Sequence, residues 1–383
     1  MATKMRNIFE EVAYVEKPAA APGGIDAKSK GARRAIRGWL MALFALVVVM
    51  IAVGGLTRLT DSGLSITEWA PLSGSIPPLN AAEWEAEFAA YKLIPEYIEQ
   101  NAGMSMAEFK VIYWWEWGHR QLGRFMGVVW GLGFAYFLIR RQIPTGWTPR
   151  LLLLGALGGT QGAIGWWMVY SGLQAGMLDV ASYRLAIHLG LAFVILGFIA
   201  WYAFLLGRRE VDLIQSRRSG EARLAKLTSV LIVFTFLQIL LGALVAGIDA
   251  GRNFPNWPMM TTGTGASFLP PDPFALMPVW RNFFEDAGLV QFMHRMWAYI
   301  LFVFGFAVWL VGRKSVFIKT RKAYHMVFAV LVLQMVIGVV TVLYSAPVEI
   351  AIVHQFTAVL MWIFVFRARY LARYPLPQTI RGY

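Results

Sequence analysis

Apolar and polar positions segregate along this chain in long blocks rather than alternating at short range. Apolar runs fall at 36 to 56, 118 to 139, 151 to 171, 184 to 206, 227 to 248, 289 to 312, 323 to 344 and 350 to 370. Each has about the 20 residues that a helix needs to cross a bilayer, and lone strands could not satisfy their backbones there. The pattern therefore predicts an all-α membrane protein with eight transmembrane helices. The longest interruption, 57 to 117, is polar overall. Within it Trp84, Phe88, Tyr91 and Leu93 recur among acids, which predicts an amphipathic helix over 81 to 101 lying on the outer face.

The eight runs repeat as two sets of four. Run 1 leaves through Gly54-Gly55-Leu56-Thr57-Arg58 to Asp61, and run 5 through Gly242-Ala243-Leu244-Val245 to Asp249. His119-Arg120 in run 2 answers His294-Arg295 in run 6, and Gln161 with Gly165 in run 3 answers Gln334 with Gly338 in run 7. Tyr170-Ser171 precedes His188 as Tyr344-Ser345 precedes His354. Each half has an even number of runs, so both insert the same way up, and a pseudo-twofold axis along the membrane normal is expected. The expected organisation is an arm at 1–35, a first four-helix bundle at 36–206 with external loop 57–117, and a linker at 207–226. A second four-helix bundle at 227–372 and a tail at 373–383 complete it. Gly158, Gly159, Gly162 and Gly165 are expected to let helix backbones approach closely.

Charge changes the picture by giving the helices a direction. The net charge of +13 could suggest nucleic acid, but the basic residues gather in the first tail, in alternate loops and at the C-terminal end. Arg33, Arg34 and Arg37, then Arg140, Arg141 and Arg150, then Arg208 and Arg209, then Arg313 and Lys314 mark one side. By the positive-inside rule these loops and both termini are cytoplasmic, and the opposite loops are external. Glu10, Glu11 and Glu16 in the first tail argue against a mitochondrial transit peptide. A bacterial plasma (inner) membrane is the expected location. The chain has no cysteine, which removes thiolate metal sites and thiol redox chemistry.

The candidate chemistry lies in the histidines. Four of the five, His119, His188, His294 and His354, fall at the outer ends of even-numbered runs, whereas His325 follows basic residues at the cytoplasmic surface. Two facing imidazoles per bundle are what a haem iron takes as axial ligands. Glu116-x-x-His119 also matches an element of di-iron carboxylate sites, but such a site needs a second copy, and Gln291 stands three before His294. Glu116 lies beside His119, where an acid at the edge of an apolar core suits proton transfer or stabilisation of positive charge. Stabilisation of a helix start is its other reading. Arg120 and Arg295 are candidates for contacts to haem propionates, with interfacial anchoring as the alternative.

Taken together, Gly54 to Ser65, Glu116-Trp117-Gly118-His119-Arg120, His294-Arg295-Met296-Trp297 and Val353-His354-Gln355 make the chain resemble the haem A synthases over all eight runs. The resemblance implies an oxidoreductase that converts a ring methyl of haem O to a formyl group, giving haem A for terminal oxidases. It assigns His294 and His354 to a haem b cofactor, and His119, His188 and Glu116 to the substrate haem. The haem sites would face the outer half of the membrane. The lack of cysteine is similar to the branch that includes the mitochondrial enzymes. Haem O synthase or oxidase assembly factors, and an electron-transfer partner, are the implied associates. The residues alone also allow a di-haem b-type electron-transfer protein that performs no chemistry on haem.

Overall fold

The computed structural model describes residues 29–378; the arm at 1–28 and the tail end at 379–383 lie outside the described residues. Eight long helices carry the fold: α1 (Ser29–Leu59), α2 (Met106–Ile139), α3 (Thr148–Gly172), α4 (Ser182–Leu206), α5 (Ala222–Gly247), α6 (Ala287–Gly312), α7 (Ile318–Leu343) and α8 (Val348–Arg373). Among the described residues there is no strand, only an isolated bridge between Thr261 and Ser267. Seven of the eight are long and apolar enough to cross a membrane. The exception is α3, whose length suffices but whose middle is diluted by Gly158, Gly159, Thr160, Gln161 and Gly162.

Contacts close into two rings. In the first half α1 touches α2 and α4, and α3 touches α2 and α4; in the second α5 touches α6 and α8, and α7 touches α6 and α8. The halves meet through α4 against α5 and α8, and α1 against α8. Trp362 of α8 is buried in this junction, packs its ring edge-on to Phe193 and donates its indole N–H to the Phe193 carbonyl at 2.9 Å. Gln355 crosses from α8 to the Ile51 carbonyl of α1 at 2.6 Å. At the end where α1 and α5 run out, Asp61 and Asp249 both adopt left-handed backbone, φ 48° and 49°. Both bind Arg58, at 2.6 and 3.0 Å, with Asp179 at 3.6 Å. One guanidinium thus joins equivalent turns of the two halves.

Three sequence expectations are corrected. The loop 57–117 ends early, because α2 starts at Met106 behind a capping box in which Ser105 and Glu108 satisfy each other's backbone N–H groups. The amphipathic helix over 81 to 101 is two pieces, Ala81–Tyr91 and Pro95–Glu99. Trp84, Phe88 and Tyr91 are buried against Phe109 and Tyr113 of α2, while Leu93, in the break before Pro95, is exposed. Thirdly, an added methyl at Gly158, Gly159 or Gly162 would meet nothing, and close contact in α3 occurs at Gly155, under Trp130, at Gly165 and at Gly172, under Leu64. The linker 207–226 is also largely ordered, holding a short helix Glu210–Arg218 before α5 begins.

Candidate active site

The four histidines sit at one end of the rings, each against a glycine on the helix before it. A methyl group added at Gly165, Gly242 or Gly338 would come within 3.0, 3.1 and 3.0 Å of Cε1 of His188, His294 and His354 respectively. At Gly54 it would meet His119 Nε2 at 3.0 Å. Such distances are tighter than most side-chain carbons show, so a larger residue there would make the imidazole shift by a few tenths of an ångström.

One turn before the glycine a glutamine completes three of the four seats. Gln161 Nε2 donates to the His188 main-chain carbonyl at 3.0 Å and lies 3.2 and 3.3 Å from its ring nitrogens. Gln238 does the same to His294 (3.2, 3.1 and 3.2 Å), and Gln334 to His354 (3.1, 3.3 and 3.3 Å). The carbonyl oxygen of each glutamine is buried without a partner. Sequence reasoning found Gln161 and Gln334 but missed Gln238, although the Gln-x-x-x-Gly spacing stands at 238 to 242 in plain view. The fourth seat has Met50 at this place, with its Cε 3.5 Å from the point where a methyl on Gly123 of α2 would lie.

The rings of His119 and His188 are 6.5 Å apart and inclined at 75°. A first-row metal bonds an imidazole nitrogen at about 2.0–2.1 Å, so two imidazoles on opposite sides of one iron have ring centres about 6 Å apart. The first pair fits that span. Among the described residues no three His, Cys, Asp or Glu side chains converge as a metal site would require. The di-iron arrangement therefore lacks its ligands, whereas haem iron needs only two from the protein, the porphyrin supplying the rest.

Glu116 and Arg120 lie near the first pair but are turned to the loop after α1. The buried Glu116 carboxylate accepts from Ser65 Oγ (2.8 Å) and the Ile66 N–H (2.7 Å) on one oxygen, and from Arg120 Nε (3.0 Å) and Nη2 (2.5 Å) on the other. Arg120 also donates to the carbonyls of Ile66 (2.7 Å) and Glu68 (3.0 Å). The second half repeats the clamp: Gln291 accepts from Arg295 (2.8 Å) and donates to the Ala250 carbonyl (2.9 Å), while Arg295 holds Phe254 (2.7 Å) and Asn256 (2.8 Å). Both guanidinium groups donate to loop carbonyls, and of the two only Arg295 has a buried nitrogen, Nε, without a partner. Glu116 does not stabilise the start of α2, since the cap of that helix lies at Ser105. His325 stays outside the site, accepting from Trp309 Nε1 at 3.0 Å.

Helices long and apolar enough to cross a membrane, carrying histidines seated against glycines, define a multi-pass membrane protein of a haem-handling kind. The chain belongs to the COX15-CtaA family of cytochrome oxidase assembly proteins, whose model matches residues 37–366. It is similar to proteins named heme A synthase from a Ruegeria species, 61% identical over 99% of this chain and 99% of that protein, and from Roseobacter denitrificans, 61% identical over 98% and 99%. The protein of that name from Paracoccus denitrificans is 54% identical over 98% of both chains.

Proposed function

We infer that this protein is an oxidoreductase of haem A biosynthesis, oxidising a ring methyl of haem O to the formyl group of haem A within the membrane. Near full-length identity to proteins named for that activity carries the reading, and the ring separation of 6.5 Å between His119 and His188 supports it at the site. The eight helices are read as two bundles, 36–206 and 227–372, related by a pseudo-twofold axis along the membrane normal. The paired contact rings and repeated seats favour this. His294 and His354 would hold haem b as the resident cofactor, and His119 with His188 the substrate haem. Haem b would supply one-electron chemistry to the oxidation, whose electrons leave to a partner protein or carrier.

Glu116 is the charged group by which the first pair differs from the second, where Gln291 is neutral. It is read as the residue that stabilises positive charge or moves a proton as the methyl is oxidised, acting from within its ion pair with Arg120. Arg120 and Arg295, which hold the loops after α1 and α5, remain the candidates for contacts to haem propionates, with anchoring of those loops as the other reading. Loop charges orient both termini to the cytoplasm and the histidine pairs to the outer half. Delivery of the substrate by haem O synthase or by oxidase assembly factors belongs to the same reading.

Acid extraction of pigments from the purified protein, followed by chromatography and mass analysis, tests it. Haems O and A beside haem b are expected. Haem b alone would point to an electron carrier instead.

A further inference from the structure

The four seats are not equal, and the inequality lies in the half assigned to the substrate. We propose that Gln161, Gln238 and Gln334 are positioning residues that fix His188, His294 and His354, and that Met50 leaves His119 free to turn. The first pair would then hold one fixed and one yielding ligand, and the second pair two fixed ligands. This rests on the reading that the first pair takes the substrate haem and the second haem b.

The slot is the same in all four cases. It lies one turn before the glycine on the odd-numbered helix, and one turn after each histidine stands a small residue, Gly123, Ala192, Ala298 or Ala358, the first of them near Met50. Three slots hold an amide that donates to the histidine's own carbonyl and sits 3.1–3.3 Å from both ring nitrogens. An amide in that position couples the ring to the backbone beneath it. Contacts around a ligand help to set its orientation, and here the amide is tied to the histidine's carbonyl and packs against its ring. Met50 has no donor, and its flexible thioether adapts to whatever it touches.

The rings already reflect the difference. His188, His294 and His354 all present Cε1 to the glycine, whereas His119 presents Nε2, so its ring is turned over relative to the other three. A resident cofactor is served by two ligands that stay. A haem that arrives as substrate and departs as product is served by one that gives way.

The test uses the purified full-length chain, loaded with haem O and reduced, with carbon monoxide as the probe of an opened axial position. In the wild type, carbon monoxide is expected to bind the haem at the first pair and to leave haem b untouched. Met50→Gln should retain both haems on pigment extraction and bind carbon monoxide at the first site at least roughly tenfold more weakly, the scale typical of outer-shell changes. Gln334→Met should make haem b reactive toward carbon monoxide while its content is retained, and Gln238→Met should do the same from the opposite ligand. Unchanged carbon monoxide binding in Met50→Gln with both haems present would overturn the claim for His119. A haem b still closed to the probe in both glutamine variants would overturn the positioning role. Haem b as the sole pigment after loading would instead remove the two-site reading, and with it the claim for His119. The glutamine variants would even then decide the positioning role.

Discussion

The two halves of the chain seat their histidines alike and cover them differently. In both, glycine on one helix admits an imidazole from the next, and an arginine four residues after Glu116 or Gln291 ties down the loop that leaves the first helix of the half. The first half substitutes Met50 for glutamine and Glu116 for glutamine, and adds a buried aromatic cover over 81 to 99. The second keeps amides at every equivalent point and has only short helical turns between α5 and α6. In the reading proposed above, one repeated scaffold serves both sites, and substitutions at a few fixed positions separate a reacting site from a holding site.

The most decisive break of that comparison is removal of a ligand. His294→Ala or His354→Ala should abolish the low-spin haem b spectrum of the purified protein, while His119→Ala and His188→Ala should leave that spectrum and stop haem A formation. A normal b spectrum from His354→Ala would reverse the assignment of the halves. His325→Ala, which loses only a contact to Trp309, should alter neither readout.

Glu116→Gln comes next in size, with haem A output expected to fall by roughly 10²-fold, the lower end of what a proton-transferring group contributes. The substitution is less neutral than the presence of Gln291 suggests. Gln291 turns its amide N–H to the Ala250 carbonyl, whereas Glu116 turns its second oxygen to the Ile66 N–H and Ser65 hydroxyl. An amide nitrogen there would face a donor, costing about 1–3 kcal/mol for the buried N–H left unpaired. Thermal melting should therefore drop modestly while haem b is retained. Full haem A output in Glu116→Gln would reduce the carboxylate to a loop anchor.

A smaller effect is expected from the glycine seats. Gly242→Ala would force the His294 ring to move by a few tenths of an ångström, since the new methyl would lie 3.1 Å from Cε1. Haem b retention, followed by its transfer to an apoprotein acceptor, should fall about tenfold. Gly158→Ala, with open space around it, should not change retention.

These residues also mark how far the sequence could be read. The histidine and glycine repeats are legible because a side chain entering between helices needs a fixed spacing of one turn, which survives as a pattern. Met50 is illegible as a site residue because it matters by breaking that pattern, and a methionine in an apolar run is ordinary. The start of α2 hides behind Trp114, Trp115 and Trp117, which suggest an interfacial edge, although Ser105-x-x-Glu108 spells the cap. Arg120 and Arg295 find their partners in main-chain carbonyls of distant loops, and carbonyls carry no sequence signal. The glycines of α3 deceive in the other direction, since small residues favour close packing but three of them face open space.

The finest distinction between the halves is an acid under the first half's cover. Glu96 is buried, accepting from the Tyr91 hydroxyl at 3.0 Å and from Asn101 Nδ2 at 3.3 Å. Burial raises its pKa from 4.5 to about 8; the Tyr91 hydrogen bond opposes the shift, and Asp179 and Asp61 add to it. A folded-state value above the unfolded one means that the folded cover binds the proton more tightly. Its stability contribution is therefore complete below about 4.5 and is lost as pH rises toward about 8. Limited proteolysis between residues 92 and 105 should accelerate over that interval in the wild type, while sites in the loop between α5 and α6 change little. Glu96→Gln, which cannot ionise and keeps an acceptor for Tyr91, should flatten the profile at the slow, acid-side rate. Proteolysis that accelerates equally in the variant would assign the pH dependence to another group, with the half-buried Asp179 the next to replace, its pKa also raised by burial.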